Sequence, residues 1–392
     1  MSTELPETTA AWRDFCDRLA AVGEELLADG FPESEVDRAE GYRHLANQVA
    51  CWLTFAVGHS DAARPMLFRS SDPIYQWGGP NADQVARRVP ISGAGTYRLR
   101  GNMGACEEFV LQIKTGATQS GGADVALEIS ASQLGLGPGD DIDVLLSQQQ
   151  QPGRWLALDP EASFLHIRDY YFGWQPKEPA TFVVERVDMP AEPPPRFTVE
   201  DLRGMLDGAA REVEHSIGFW NRYQITMRGK HGVNAFSEPA GIARGVQDVL
   251  YSHAFVALAD DEAMVVSFDS EPDESWDFQL YSRHWYEALD FRYRATTTNH
   301  RLAARGADGR VYVVIAANDP GWRNWLDTEG RAEVLATLRW WHPRTTPQVS
   351  YEIVPAARAD DRLPADVPRI DAATRAEEIR NRAAHAAWRY RT

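Results

Sequence analysis

Two stretches about 170 residues apart carry the same succession of residue types, so this chain must fold into something that uses one unit twice. The first runs Asp141-Ile-Asp-Val-Leu-Leu-Ser147, then Gly153-Arg154-Trp155-Leu156, then Leu165-His166-Ile167-Arg168-Asp169-Tyr170-Tyr171. The second runs Arg310-Val-Tyr-Val-Val-Ile-Ala316, then Arg323-Asn324-Trp325-Leu326, then Thr337-Leu338-Arg339-Trp340-Trp341. Each has a β-branched run, a polar loop, a Trp-Leu pair and an arginine followed by aromatics. A single one-residue gap keeps Trp155 and Arg168 in register with Trp325 and Arg339. Beyond them, Phe182-Val-Val-Glu185 echoes Val349-Ser-Tyr-Glu352.

The rest of the chain frames these copies. Trp12, Phe15, Leu19, Val22 and Leu26 step by three and four, the spacing of an amphipathic helix. A second helix is expected to turn Tyr42, Leu45, Val49 and Trp52 to one face. From Pro65 the punctuation changes to Asp72-Pro73, Gly78-Gly79-Pro80, Gly101, Gly104 and Gly121-Gly122, which separate short strand-like runs. Pro190-Ala-Glu-Pro-Pro-Pro195 reads as a stiff linker. Thr198, with Asp201 after it, caps a helix whose stripe is Val199, Leu202, Leu206, Ala209, Val213 and Ile217. Asp371 starts a last helix, with Ala372, Ala376, Ile379, Ala383 and Ala387 as its stripe. The organisation expected is a helical segment (1–64), a first β unit (65–190), a linker and helix (191–245), a second β unit (246–358) and a C-terminal helix (359–392). The fold class is mainly β: two jelly-roll or β-sandwich units with helical decoration. Strict βαβ alternation is absent, which argues against Rossmann and TIM architectures.

A net charge of −17 argues against a nucleic-acid partner, because phosphate binding needs clustered Lys and Arg. Arg375, Arg380, Arg382, Arg389 and Arg391 make the last helix locally basic, but Asp371, Glu377 and Glu378 dilute that charge, and a solvated face is expected. No apolar run approaches the ~18 residues that span a bilayer, so no membrane partner is expected. No secretory signal is read at the N-terminus. Cys16, Cys51 and Cys106 are scattered and form no CxxC pair, which suits a reducing, cytoplasmic setting. The 13 Trp residues serve either a large β core or a site that stacks on flat or sugar-like ligands.

Within the second copy, Trp276 with Gln279-Leu280-Tyr281, Asp308-Gly309, Asp319-Pro320-Gly321, Asn324-Trp325-Leu326-Asp327-Thr328 and Arg339-Trp340 resemble the DUF1214 family, a group named as a domain of unknown function. The resemblance covers roughly 260–355 and reaches 65–190 only through the repeat. It implies a β-sandwich or jelly-roll domain and brings no catalytic mechanism. Double jelly rolls among comparable architectures often assemble as trimers, so a homo-oligomer is one expectation by analogy.

Three constellations could carry chemistry. The richest is Asn318 to Glu329, which holds Asp319, Asp327 and Glu329 beside Trp322, Arg323, Asn324 and Trp325. Two carboxylates across a sugar are the minimal apparatus of glycoside hydrolysis; equally, Asp-Pro-Gly is a favoured turn and Trp325 a core anchor. Because the first copy has Ala157 where the second has Asp327, Asp327 is the better functional candidate. Secondly, His166, Arg168 and Tyr170 share one face of a strand and could bind an anion or serve as acid and base. Thirdly, His284, Glu287, Asn299, His300 and Trp276 could line the mouth of a sandwich. No HExxH or HxH occurs, so no metal is expected, and no Walker loop, Rossmann fingerprint or G-x-S-x-G elbow implies a cofactor or a serine nucleophile.

The function expected is hydrolase-like, on a carbohydrate or glycosylated small molecule. Asp327 and Asp319 would be acid and base or nucleophile, with Glu329, His284 and His300 behind them. Trp322, Arg323, Asn324, Trp276, His166, Arg168 and Tyr170 would be substrate contacts. The alternatives are a non-catalytic ligand-binding or oligomeric scaffold, and an enzyme on a lipid- or sterol-like substrate using His and Tyr.

Overall fold

The computed structural model describes residues 6–116, 124–190, 192–242 and 245–391. The Gly121-Gly122 turn, Ala191 of the linker, Arg244 and the first five residues lie outside them. The chain divides into two compact units. The first comprises Met1–Gly78, Val85–Asp169 and Ala180–Tyr223; the second comprises Gly79–Gln84, Tyr170–Pro179 and Gln224–Thr392.

The first unit opens with helices α1 (Glu7–Glu25) and α2 (Glu35–Gly58). Strands β1 (Phe68–Ser71), β2 (Gln84–Pro90), β3 (Tyr97–Asn102), β4 (Glu108–Thr115), β5 (Asp124–Ser130), β6 (Asp141–Ser147), β7 (Trp155–Ala157), β8 (Ala162–Tyr170) and β9 (Thr181–Arg186) follow. They form a five-stranded sheet, β1-β2-β8-β4-β5, and a four-stranded sheet, β7-β6-β3-β9. Phe109 of β4 meets Phe182 of β9 edge-on at 5.8 Å, ring against ring across the two sheets. Helix α3 (Val199–His231) begins in this unit. Its Thr198 hydroxyl accepts from the Asp201 amide at 3.2 Å while the Asp201 carboxylate accepts from the Thr198 amide at 2.8 Å, the reciprocal cap expected. Leu206, Ala209, Val213 and Ile217 are buried along it, and Leu206, Ala209 and Ala210 pack on Phe15 of α1.

The second unit repeats the design. Strands β10 (Ala240–Gly241), β11 (Val249–Ala257), β12 (Glu262–Phe268), β13 (Ser275–Ser282), β14 (Thr297–Asn299), β15 (Val311–Ala316), β16 (Trp325–Asp327), β17 (Glu333–Trp341) and β18 (Val349–Pro355) precede a 3-10 turn at Ala356–Arg362 and helix α4 (Ala372–Arg389). The sheets are β10-β11-β17-β13-β14 and β16-β15-β12-β18. Position for position, these orders match those of the first unit. The repeat is therefore a repeated β-sandwich. The single gap read from the sequence is two in the structure, one in the loop before the tryptophan and one between the tryptophan and the arginine: β7 runs parallel to β6 with Trp155 opposite Leu145, and β16 runs parallel to β15 with Trp325 opposite Val314. Both indoles donate to a carbonyl of the neighbouring strand, Ser147 at 3.2 Å and Ala316 at 2.9 Å.

Alternation along the strands builds the core. Trp276, Phe278 and Leu280 of β13 and Ala336, Leu338 and Trp340 of β17 face Met264, Val266, Phe268, Val313 and Ile315 of the other sheet. The intervening residues, Asp277, Gln279, Thr337 and Arg339, are polar, yet they too are buried.

Two helices are rotated from the sequence reading, so that only part of each expected stripe, Trp52 on α2 and Ile379 on α4, packs inward. On α2 the buried residues are Gly41, His44, Gln48, Cys51 and Trp52, while Tyr42 is exposed. On α4 the alanine positions 372, 376 and 387 are exposed, and Arg375, His385, Ala386 and Arg389 are buried. Of the five arginines expected on a solvated face, Arg380 and Arg391 are exposed, whereas Arg375, Arg382 and Arg389 pack inward. The physical reason is that guanidinium stems and planes pack well on aromatic rings while their N–H groups satisfy carbonyls and carboxylates. Among the described residues no helix is long and apolar enough to cross a membrane.

Candidate functional site

The site grows from the inward face of α4. Arg375, Glu378, Arg382, His385 and Arg389 are spaced three and four residues apart, so a helix stacks them on one side. The Asp371 side chain fixes where that helix starts by accepting from the Thr374 amide at 2.8 Å. Arg375 then bonds the Asp319 carboxylate at 2.9 Å, Glu378 at 2.9 Å and the carbonyl of Trp322 at 2.6 Å. Arg323 reaches Glu378 at 3.2 Å. The Asp-Pro-Gly turn is therefore clamped to α4.

The facing wall is Trp174, in the segment Tyr170–Pro179. Its φ of 46° is a left-handed conformation that a bulky residue rarely adopts, and its surroundings hold it there. The indole N–H donates to Asp83 Oδ1 at 2.5 Å. His385 stacks on the ring at 5.2 Å, and the guanidiniums of Arg382 and Arg389 lie 5.2 and 5.1 Å from its centroid. Asp83 Oδ1 also accepts from Asn299 Nδ2 at 2.8 Å, while its Oδ2 is buried without a hydrogen-bond partner among the described residues. Burial first, and then the neighbouring Asp277 carboxylate, push Asp83 up to about 7, against the pull of its bonds from Trp174 and Asn299. Asp277 is itself held by Arg339 at 2.7 Å and Asn81 at 2.9 Å. Burial, reinforced by Arg389, lowers His385 to about 3, so that ring is neutral beside Trp174 at ordinary pH.

Between α4 and Trp174 lies a cleft of about 160 Å³, lined by Trp174, Trp325, Arg323, Arg375, Glu378 and Arg382, with Gln175, Thr298 and Asn381 at its margins. Three guanidiniums thus share it with one carboxylate. Arg323 and Arg375 are engaged as described. Arg382 gives Nη2 to the carbonyl of Thr297 at 2.8 Å, but its Nη1 is buried with no hydrogen-bond partner among the described residues. Burial lowers its pKa to about 10, with Glu378 and Asp83 acting the other way at longer range, so it remains a cation at neutral pH. A buried charged donor without an acceptor is a costly arrangement. An incoming anion would complete it.

The residues singled out from the sequence are dispersed. Asp319 serves Arg375 and its own turn, accepting from the Gly321 amide at 2.8 Å. Asp327 pairs instead with Arg294 at 2.9 Å and accepts from the Glu329 amide at 2.8 Å. Glu329 accepts from the Asp290 amide at 2.7 Å. Each of the three carboxylates braces a loop, and the two aspartates answer different arginines. Arg323 lines the cleft; Trp322 gives its N–H to Asp360 at 3.0 Å, and Asn324 bonds the carbonyls of Ala304 and Tyr312. Trp276 is core, edge-on to Phe268 at 4.9 Å. His300 lies beside the Trp276 backbone and packs on Phe172 at 4.7 Å, and His284 lies by Arg283 at 3.3 Å. Of the strand triad, His166 and Arg168 belong to the first unit, where Arg168 bonds Gln112 at 2.6 Å. Tyr170 belongs to the second, stacked on Phe172 at 5.8 Å. Among the described residues no group of three or more His, Cys, Asp or Glu is placed to hold a metal ion.

Sequence reasoning missed Asp83, Trp174, Arg382 and His385. A signal existed for the two on α4: the 3-4-3-4 spacing of Arg375, Glu378, Arg382, His385 and Arg389 is that of a buried stripe, written in polar residues. For Asp83 and Trp174 there was none, since their partners lie far along the chain.

Comparison with known proteins adds the following. Residues 257–345 match the model of a family described as a protein of unknown function (DUF1214). No curated protein matches the chain. A crystal structure of an uncharacterised protein from Burkholderia cenocepacia is 30% identical, with a TM-score of 0.82, over 88% of this chain and 97% of that one. A second crystal structure, of a protein from Vibrio parahaemolyticus, is 11% identical with a TM-score of 0.44, over 79% of this chain and 97% of that one.

Proposed function

Because the chain belongs to the DUF1214 family, whose description assigns no reaction, we propose its function from the cleft of the second unit: the protein binds a small ring-bearing acid of the sugar-acid type. The observation that carries this reading is Arg382, a residue of the cleft lining whose buried Nη1 is a cationic donor without an acceptor among the described residues. A carboxylate there would gain a charge-assisted hydrogen bond. The volume of about 160 Å³ suits one six-membered ring, since a cavity of ~150 Å³ holds benzene. Trp174 and Trp325 offer flat faces, while Gln175, Thr298 and Asn381 offer partners for hydroxyls.

Binding is better supported than hydrolysis. A retaining or inverting glycosidase needs two carboxyls facing one bond, one of them protonated. Asp319 and Asp327 each accept from an arginine at 2.9 Å, and those arginines are different, Arg375 and Arg294, so the two carboxylates are tied to separate partners.

D-glucuronate and D-glucose, titrated calorimetrically into wild type and Arg382→Gln, test the proposal, with turnover of 4-nitrophenyl β-D-glucuronide followed alongside. Glucuronate should bind wild type, glucose at least tenfold more weakly, and the variant should lose that preference. Equal affinity for acid and neutral sugar, or an unaffected variant, would refute it. Release of nitrophenol, abolished in Asp327→Asn, would restore the hydrolase reading.

A further inference from the structure

The first unit contains a second buried guanidinium that is not hydrogen-bonded to an anion among the described residues. Arg88, on the outer face of the five-stranded sheet, is 3% exposed. Its guanidinium lies 4.3 Å from the ring centroid of Phe164, 5.3 Å from that of Trp52 and 5.8 Å from that of Trp77. It makes no ion pair among the described residues, and its Nε is buried without a hydrogen-bond partner. Ring faces attract a cation, but they accept none of the five N–H bonds that a guanidinium must place. The neighbours are in the same condition. The Glu212 carboxyl of α3 interacts with Arg88 through space, yet its Oε2 has no hydrogen-bond partner. On α2, Gln48 gives Nε2 to the carbonyl of Gln76 at 2.8 Å, but the side-chain oxygens of Gln48 and Gln76 are both buried and unpaired. His166, another sheet residue whose charge interacts with that of Arg88, has a buried Nε2 with no partner. Such orphans are rare singly in native proteins. Here five residues of the first unit carry one each.

We propose that this cluster of side chains is a binding site for a small aromatic carboxylate. The carboxylate would take the N–H groups of Arg88, and its ring would lie against Trp77, the one of the three aromatics that is only half-buried. Charge fixes the sign of the ligand. Arg168 and Lys114 add to Arg88 around His166, and all three hold the imidazole neutral after burial has begun to do so. An anion is welcome there and a cation is not. The opposing Glu212 carboxyl is raised by burial, against the pull of Arg88. The residues of this site all belong to the first unit and those of the cleft to the second, and the inference stands independently of that one.

The test uses the full chain with benzoate as probe, and benzylamine as the cation of matching shape. Thermal stability and calorimetric affinity would be measured for wild type, Arg88→Met, Glu212→Gln and Arg382→Gln. Met fills the arginine stem without its charge, a replacement that buried charged positions often tolerate. Benzoate should raise the melting temperature of wild type and of Arg382→Gln, while Arg88→Met should bind it at least tenfold more weakly. Glu212→Gln, which removes a carboxyl and supplies an amide donor in its place, should retain most of the affinity. An unchanged response in Arg88→Met would mean that the rings alone satisfy the arginine, and would overturn the proposal. So would the absence of any benzoate response in wild type, a preference for benzylamine, or a response lost only in Arg382→Gln. If Arg88→Met does not fold, retention of benzoate binding by Glu212→Gln but not by Trp77→Ala decides for the site, and equal loss or equal retention decides against it.

Discussion

Asp83 and His385 both bear on Trp174, one through its N–H and the other through its face, and they titrate in opposite senses. The folded Asp83 carboxyl keeps its proton to about 7, whereas an unfolded one loses it near 3.8. Between those values the folded chain binds more protons, so this group makes stability fall as pH rises from about 4 to 7. The folded imidazole of His385 protonates only near 3 against 6.5 when unfolded. Its contribution is complete above pH 6.5 and is lost as pH falls toward 3. In Asp83→Asn the first effect is gone, while an acceptor for Trp174 and Asn299 remains. We expect the melting temperature of the variant minus that of wild type to grow by about 5 °C from pH 4 to pH 7 and then to level off, followed by scanning calorimetry. A difference that does not vary with pH would mean that Asp83 is ionised throughout. Neither residue could be given this role from the sequence. A lone Asp in Asn-Ala-Asp and a lone His on a basic helix look ordinary until the elements that surround them are known.

Among the elements, the strands were far more legible than the helices. The spacing of Trp155 and Trp325 from the runs before them carries the pairing of β7 with β6 and of β16 with β15, and strand alternation carries which side chains are core. The caps of α3 and α4 were legible too, because Thr198, Asp201 and Asp371 act on amides within one turn. The facing of α2 and α4 was not. Hydrophobic periodicity assumes that the apolar stripe is the buried one, and these helices bury polar stripes whose partners come from elsewhere in the chain. The consequence for α4 can be measured. Arg375→Met would remove the donor that ties Asp319, Glu378 and the carbonyl of Trp322 together, and should cost about 3 kcal/mol in urea unfolding. Arg380→Ala, on the exposed side of the same helix, should lie within about 0.5 kcal/mol of wild type. Similar losses at the two positions would contradict the inward arginine face.

For the whole molecule the repeat was the decisive sequence feature, and it gave the β-sandwich in duplicate. The division of the chain between the units was hidden, because Gly79–Gln84 and Tyr170–Pro179 lie inside the sequence of the first β unit but belong to the second. Net charge also acts at this scale. A molecule of charge −17 repels an anion at long range while the arginines of the cleft attract it at short range. Salt screens the distant charges first. The association rate of glucuronate should therefore rise between 10 and 150 mM NaCl in stopped-flow fluorescence, whereas a steep fall would mean that long-range attraction dominates.

The interleaved segments also set an order in time. Synthesis proceeds from the N-terminus, so Asp83 and Trp174 leave the ribosome long before the residues that enclose them. From Trp174 to Arg389 the interval is 389 − 174, or 215, residues. At about 5–20 residues per second this is a wait on the order of 10–40 s. Throughout it the first β unit has its own strands to hand, while the two borrowed segments have no sheet and no helix to receive them. The cleft is therefore assembled late, around pieces that were made early.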